Sequence, residues 1–239
     1  MGLNSIAKNN IEDIQLEELT FLKEQFNLYK KLYNQLKANY EKQELQWEWS
    51  KGGFYYNFTP FEIERSGYKK GKLLKKEPKN KDQIIEYGKL ENGIVNTKFY
   101  SNDEYIYSEK FILKEGNSLI EIRYSDGIEI KSLDKISILF FNDEGHPQKY
   151  ITYEHEIDCE EEDNEEEYTI AKELYEYKDL KIIKISVRGY IKDSIKRIVI
   201  DRDYNIVYDL SDNLSEIFSQ DNNLASGKPS NTKIFSELE

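Results

Sequence analysis

The stretch EYIYSEKFILKEGNSLIEIRYSDGIEIKSLDKISILFF, Glu104 to Phe141, decides the fold. Runs rich in Ile, Tyr and Phe (EYIYSEKFIL, SLIEIRY, GIEIK, KISILFF) are separated by KEGN and SDG, whose Gly, Asn and Asp suit turns. Connections this short leave no room for crossover helices, so neighbouring strands pair antiparallel as a meander. The same grammar extends upstream to IIEYG and IVNTKFY. Downstream it runs through KYITYEHEI, YTIAKELYEY, KIIKISVR and IKRIVI to YNIVYDL, with DRDYN read as a turn. YTIAKELYEYK also fits a helical period through Ala171, Leu174, Tyr175 and Lys178; we read it as a strand. Alternation is incomplete. In EYIYSEKFIL one face carries Tyr105, Tyr107, Phe111 and Leu113, the other Ile106 and Ile112. Antiparallel sheets commonly keep one face wet, and the second face is expected to be rich in Tyr, Lys and Glu.

Upstream the period changes. Leu19, Leu22, Phe26, Tyr29, Tyr33, Leu36 and Tyr40 step by three and four, which lines them on one helical stripe, with Leu16, Leu28 and Leu32 widening it. A helix over about 11–43 would be roughly 50 Å long at ~1.5 Å per residue. Burial of this stripe on the sheet is the reading adopted; a coiled coil is the alternative. In LQWEWSKGGFYYNFTPF, Leu45, Trp47 and Trp49 alternate, Gly52 and Gly53 follow, and Phe54, Tyr56 and Phe58 alternate again, which reads as a β-hairpin. The segment YKKGKLLKKEPKNK (Tyr68 to Lys81) is a basic loop. SDNLSEIFSQ reads as a short helix capped by Ser211 or Asp212, and the remaining residues as a flexible tail. The expected class is α+β: a long N-terminal helix (1–44) packed as one domain on an antiparallel β-meander sheet (45–210), then a short helix and tail (211–239).

At 239 residues the chain is long enough for a self-sufficient core, and 13% aromatics argue against disorder. No apolar run approaches the length of a membrane span, no secretory signal opens the sequence, and one cysteine permits no internal disulfide, so a cytoplasmic protein is expected. The net charge of −12 disfavours direct nucleic-acid binding.

That charge is concentrated. YEHEIDCEEEDNEEEY, Tyr153 to Tyr168, holds one of the two histidines, the only cysteine and ten carboxylates. On a strand, His155 and Cys159 share a face with Tyr153 and Ile157 but stand about 13 Å apart, too far for a catalytic dyad or a shared zinc. The carboxylates lack the D-x-[DN]-x-[DN]-G spacing of a calcium loop. A solvated hairpin tip is the bland reading. The functional reading makes Glu160, Glu161, Glu162, Asp163, Glu165, Glu166 and Glu167 a docking surface for a basic partner. Trp47, Trp49 and Tyr56 form a candidate ligand platform, weighed against closure of the core. His146 lies in the turn sequence NDEGHPQ. No G-x-S-x-G, H-E-x-x-H, C-x-x-C or phosphate-loop motif occurs, so no catalytic residue, metal or cofactor is expected.

FFNDEGHPQKY, YEYKDLKIIKI and DRDYNIVYDL, aromatic strands broken by Asp- or Gly-bearing turns, resemble the hairpin repeats of YD/RHS-like β-rich proteins. In size, acidity, Lys/Ile/Asn-rich composition and lack of catalytic motifs, the chain also resembles bacterial polymorphic-toxin immunity proteins. That resemblance implies a non-enzymatic inhibitor that binds and blocks a basic toxin or nuclease. The alternatives are a phage- or defence-related regulator mimicking nucleic-acid charge, and a ligand-binding β protein using Trp47 and Trp49.

Overall fold

The computed structural model describes residues 16–91, 93–102, 105–126, 131–155, 167–192, 197–222 and 230–236. In it the meander is one antiparallel sheet of 13 strands. Its strands are β1 (Gln46–Lys51), β2 (Lys72–Leu73), β3 (Ile84–Leu90), β4 (Gly93–Tyr100), β5 (Ile106–Glu115), β6 (Ser118–Asp126) and β7 (Lys131–Phe141). They continue as β8 (Pro147–His155), β9 (Tyr168–Lys178), β10 (Lys181–Lys192), β11 (Arg197–Tyr208), β12 (Leu214–Asp221) and β13 (Ser230–Ser236). From β3 to β13 each strand neighbours the next; β1 adds outside β3, and β2 forms the edge beyond it.

Several sequence expectations change. DRDYN is not a turn, because Asp201 and Asp203 pair with Arg188 on β10 and extend β11 through it. SDNLSEIFSQ is not a helix. The Asp209 carboxylate accepts the backbone N–H groups of Ser211 and Asn213, making a hairpin turn of residues that resemble a helix cap. LSEIFSQD then pairs with β11, and Ile217 is buried against Ile206. The tail supplies β13, so the sheet reaches well past residue 210.

The single long helix is two: α1 (Leu16–Tyr29) and α2 (Tyr33–Glu41). The break has a cause on the sheet. Tyr124 Oη donates to the Tyr29 carbonyl at 2.6 Å, taking the acceptor that Tyr33 N–H would use in a continuous helix. The predicted stripe faces the sheet as expected. Leu22, Phe26, Tyr29, Leu36 and Tyr40 are buried with Phe111, Ile122, Tyr124, Ile136, Ile151 and Tyr153, although Leu28 points to solvent.

The aromatic hairpin after β1 is also absent. Beyond Lys51, Gly52 (φ 81°) and Gly53 (φ 140°) turn the chain out of the sheet, and residues 54–58 form no strand. Residues 52–71 instead make a strap across the second sheet face, carrying the short helix α3 (Glu62–Ser66). Its ends meet: Gly71 N–H donates to the Phe54 carbonyl at 2.7 Å. Phe54 packs on Phe99 of β4, while α3 packs on β13. Nine residues reach at most about 32 Å, yet on a flat sheet nine inter-strand spacings would separate those strands by about 43 Å. The sheet therefore curls around the strap. Helices cover one face, the strap crosses the other, and the Tyr, Lys and Glu expected to be wet are largely covered.

Candidate functional site

Meander connections alternate between the two ends of a sheet. Those from β4 to β5, β6 to β7, β8 to β9, β10 to β11 and β12 to β13 all close at one end. The acidic stretch joins β8 to β9 there, its base set by the pairing of His155 with Tyr168. Glu160, Glu161, Glu162, Asp163, Glu165 and Glu166 lie outside the described residues, as does Cys159. Glu167 is described and half-buried just before β9. His155 packs 6.0 Å from the Phe26 ring, a place in the core margin beside Tyr153. His146 sits in the β7–β8 turn, its backbone N–H held by Asn142 Oδ1 at 2.9 Å.

The aromatic candidates do not converge. Trp47 and Trp49 share one face of β1. Trp49 Nε1 donates to Glu86 at 2.9 Å, and Lys98 lies 4.3 Å over the Trp47 ring. Glu86 also receives Lys81, Lys98 and Tyr100; burial alone would raise its pKa, and these donors hold it below the usual carboxylate range. Tyr56 lies on the strap, on the opposite side of β1, donating to Glu48 and packing 5.1 Å from the Tyr87 ring. Both tryptophan side chains are partly buried on β1.

The more concentrated chemistry lies on the face beneath the strap, where charged side chains occupy alternate strand positions. Lys110 donates to Glu121 at 3.1 Å. Arg123 Nε reaches both Asp134 oxygens at 3.0 and 2.9 Å, and its Nη2 reaches Glu154 at 2.6 Å. Ser125 Oγ donates to Asp134 at 2.8 Å and lies 3.0 Å from Ser108 Oγ. Desolvation would raise the pKa of Glu121, but Lys110, Lys135 and Arg123 outweigh it; Glu154 is likewise held low by Arg123 and Lys135. Burial would discharge Lys135, and the Tyr150, Glu121 and Glu154 side chains overcome it and raise its pKa. Further along, Arg65 of α3 makes two bonds of 3.0 Å to Glu173 on β9, with Tyr175 Oη donating to the same carboxylate at 2.8 Å. That group latches the strap to the sheet.

Two cavities open along this face toward the acidic end. One, about 840 Å³, runs from Gly52, Phe54 and Phe99 past Tyr107 and Ser108 to Lys135. The other, about 380 Å³, lies between Asp126, His155, Tyr168 and Lys192. Both are lined by Arg123, Ser125 and Asp134. Sequence reasoning missed this row because each charge looks like the polar half of an alternating strand. The usable signal was Lys110, Glu121, Asp134 and Lys135 sitting inside the apolar runs KFIL, LIEI and LDKISI. No protein-family model, curated protein or solved structure matches the chain.

Proposed function

We propose that this protein is a non-enzymatic binding module that presents the acidic end of its sheet to a basic protein surface, most concretely as an immunity-type inhibitor of a basic toxin or nuclease. The observation that carries the reading is the placement of charge. Residues 154–167 hold ten carboxylates and no Lys or Arg, and they span the connection between two paired core strands. The β4–β5 connection, with Asp103 and Glu104, belongs to the same end. Dense negative charge fixed to one end of a rigid body accelerates association with a basic partner and makes it salt-sensitive.

The test is affinity capture from the source cell at low and high salt, using wild type and a variant with Glu161, Glu162, Glu165 and Glu166 changed to Gln. The expected result is a basic partner held by wild type, released by salt, and bound at least about tenfold more weakly by the variant. A partner held equally well by the variant would sink the acidic-end reading. Competition between DNA and this protein for one cleft of the captured partner would favour charge mimicry of nucleic acid instead.

A further inference from the structure

A feature of the larger cavity remains unused by this reading. Lys135 is half-buried and lines the cavity, yet among the described residues its ammonium makes no hydrogen bond within 3.5 Å and no ion pair within 4.0 Å. Its neighbours are otherwise engaged. Glu121 is held by Lys110, Asp134 and Glu154 by Arg123, and Glu62 accepts the Phe58 N–H at 2.9 Å. Lys110, Arg123 and Lys135 are met by Glu62, Glu121, Asp134 and Glu154, so the ammonium does not lack negative charge nearby. The ammonium faces the open cavity, where an oxygen-bearing ligand can take the place of water at its N–H groups.

We propose that this cavity binds an uncharged saccharide. A floor whose cations are met by those carboxylates gives an anion no unopposed positive charge, and the carboxylate-rich connection at the same end of the sheet repels one. The walls include the aromatic row Phe54, Phe99 and Tyr107, with ring centroids 5.5 and 6.0 Å apart. Phe54 is 41% and Tyr107 44% exposed, so apolar ring surface is open for the C–H face of a sugar to cover. The rings meet at 69° and 52°, which leaves no parallel slot to sandwich a planar base. Ser108, Ser125 and Asp134 line the same cavity and supply hydroxyl and carboxylate oxygens beside the Lys135 donor, the mixture that sugar hydroxyls require. The residues varied here differ from Glu161, Glu162, Glu165 and Glu166, so this test and that of the protein-binding reading can fail separately.

The experiment is saturation-transfer NMR on the full chain with millimolar maltose, cellobiose or chitobiose, and with glucuronate and uridine for comparison. Transfer to at least one neutral disaccharide is expected. It should fall at least about tenfold in Lys135→Met and Phe54→Ala and persist in Lys135→Arg. Circular dichroism and cooperative unfolding establish that each variant is folded; should Lys135→Met fail there, Phe54→Ala and Tyr107→Ala carry the comparison. Silence with all three sugars, preference for glucuronate or uridine, or undiminished transfer in the folded variants would overturn the proposal.

Discussion

A single arginine decides whether the strap stays on the sheet. Arg65 bonds both oxygens of Glu173, Thr59 Oγ1 at 3.1 Å and the Pro60 carbonyl at 3.2 Å, and its guanidinium lies 5.1 Å from the Tyr204 ring centre. Burial opposes its charge, but Glu173 keeps the guanidinium fully ionised. Removing one member leaves the other buried and unpaired, so Glu173→Ala should cost about 3–5 kcal/mol in urea unfolding. Arg65→Met combined with Glu173→Leu should recover much of that loss, since two apolar side chains need no partners; a double variant as unstable as the single one would contradict this account. Such a pair was not legible in the sequence. Arg65 sits between the stretch read as a hairpin and the basic loop, 108 residues from its partner, and nothing local signals that they meet. The tyrosine stripe was legible, because a helical period needs only neighbouring residues.

At the scale of elements, two contacts shape what the local pattern alone could not. The first is the Tyr124 hydroxyl on the Tyr29 carbonyl, which ends α1 inside a continuous apolar stripe. Tyr124→Phe removes one of two donors to that carbonyl, the Leu32 N–H at 3.0 Å remaining, and a loss of about 0.5–1.5 kcal/mol is expected, measured by thermal or urea unfolding. The second is the closure of the strap. A Cβ added at Gly71 would stand 1.9 Å from the Gly53 carbonyl oxygen, whereas one at Gly67 meets nothing within 4 Å but must accept φ of 72°. Gly71→Ala should therefore destabilise by well over about 2 kcal/mol, because the obstacle is backbone, and Gly67→Ala by only about 1–2 kcal/mol of left-handed strain. Equal effects in equilibrium unfolding would remove the argument that the ends of the strap are pinned together. The aromatic alternation after Gly53 predicted a strand. The same spacing is used here to place Tyr56 on Tyr87 and Phe58 on Tyr150 beneath an irregular strap. Alternation reports which side chains are sheltered, and the partner was left open.

Across the whole molecule, the meander was readable because most connections from β3 to β12 are short, while the curl was not, because it depends on a strap that joins distant strands. The burial of charged side chains on both faces has a consequence for acid stability. Glu86, Glu121, Glu154 and Asp203 each lose hydration, yet their cations lower their pKa values below the ordinary range. In the unfolded chain they would titrate near about 4.3 for Glu and 3.9 for Asp. The unfolded state then binds protons first as pH falls, so the stabilisation is complete above those values and is lost progressively down to the folded pKa values. Lys81 and Lys135 have the opposite sign. Their raised pKa values stabilise the fold below about 10.4, and that contribution fades as alkaline pH passes the folded values. The melting temperature should therefore be nearly flat from neutrality to about pH 5 and fall steeply below about pH 4. Replacing Glu121 and Lys110 together by Gln and Met should flatten the acid limb, since in acid the Glu121 carboxyl must give up its proton on folding to meet Lys110. An acid limb unchanged in that double variant, with the fold intact, would show that the drop comes from general charge repulsion and not from the row beneath the strap.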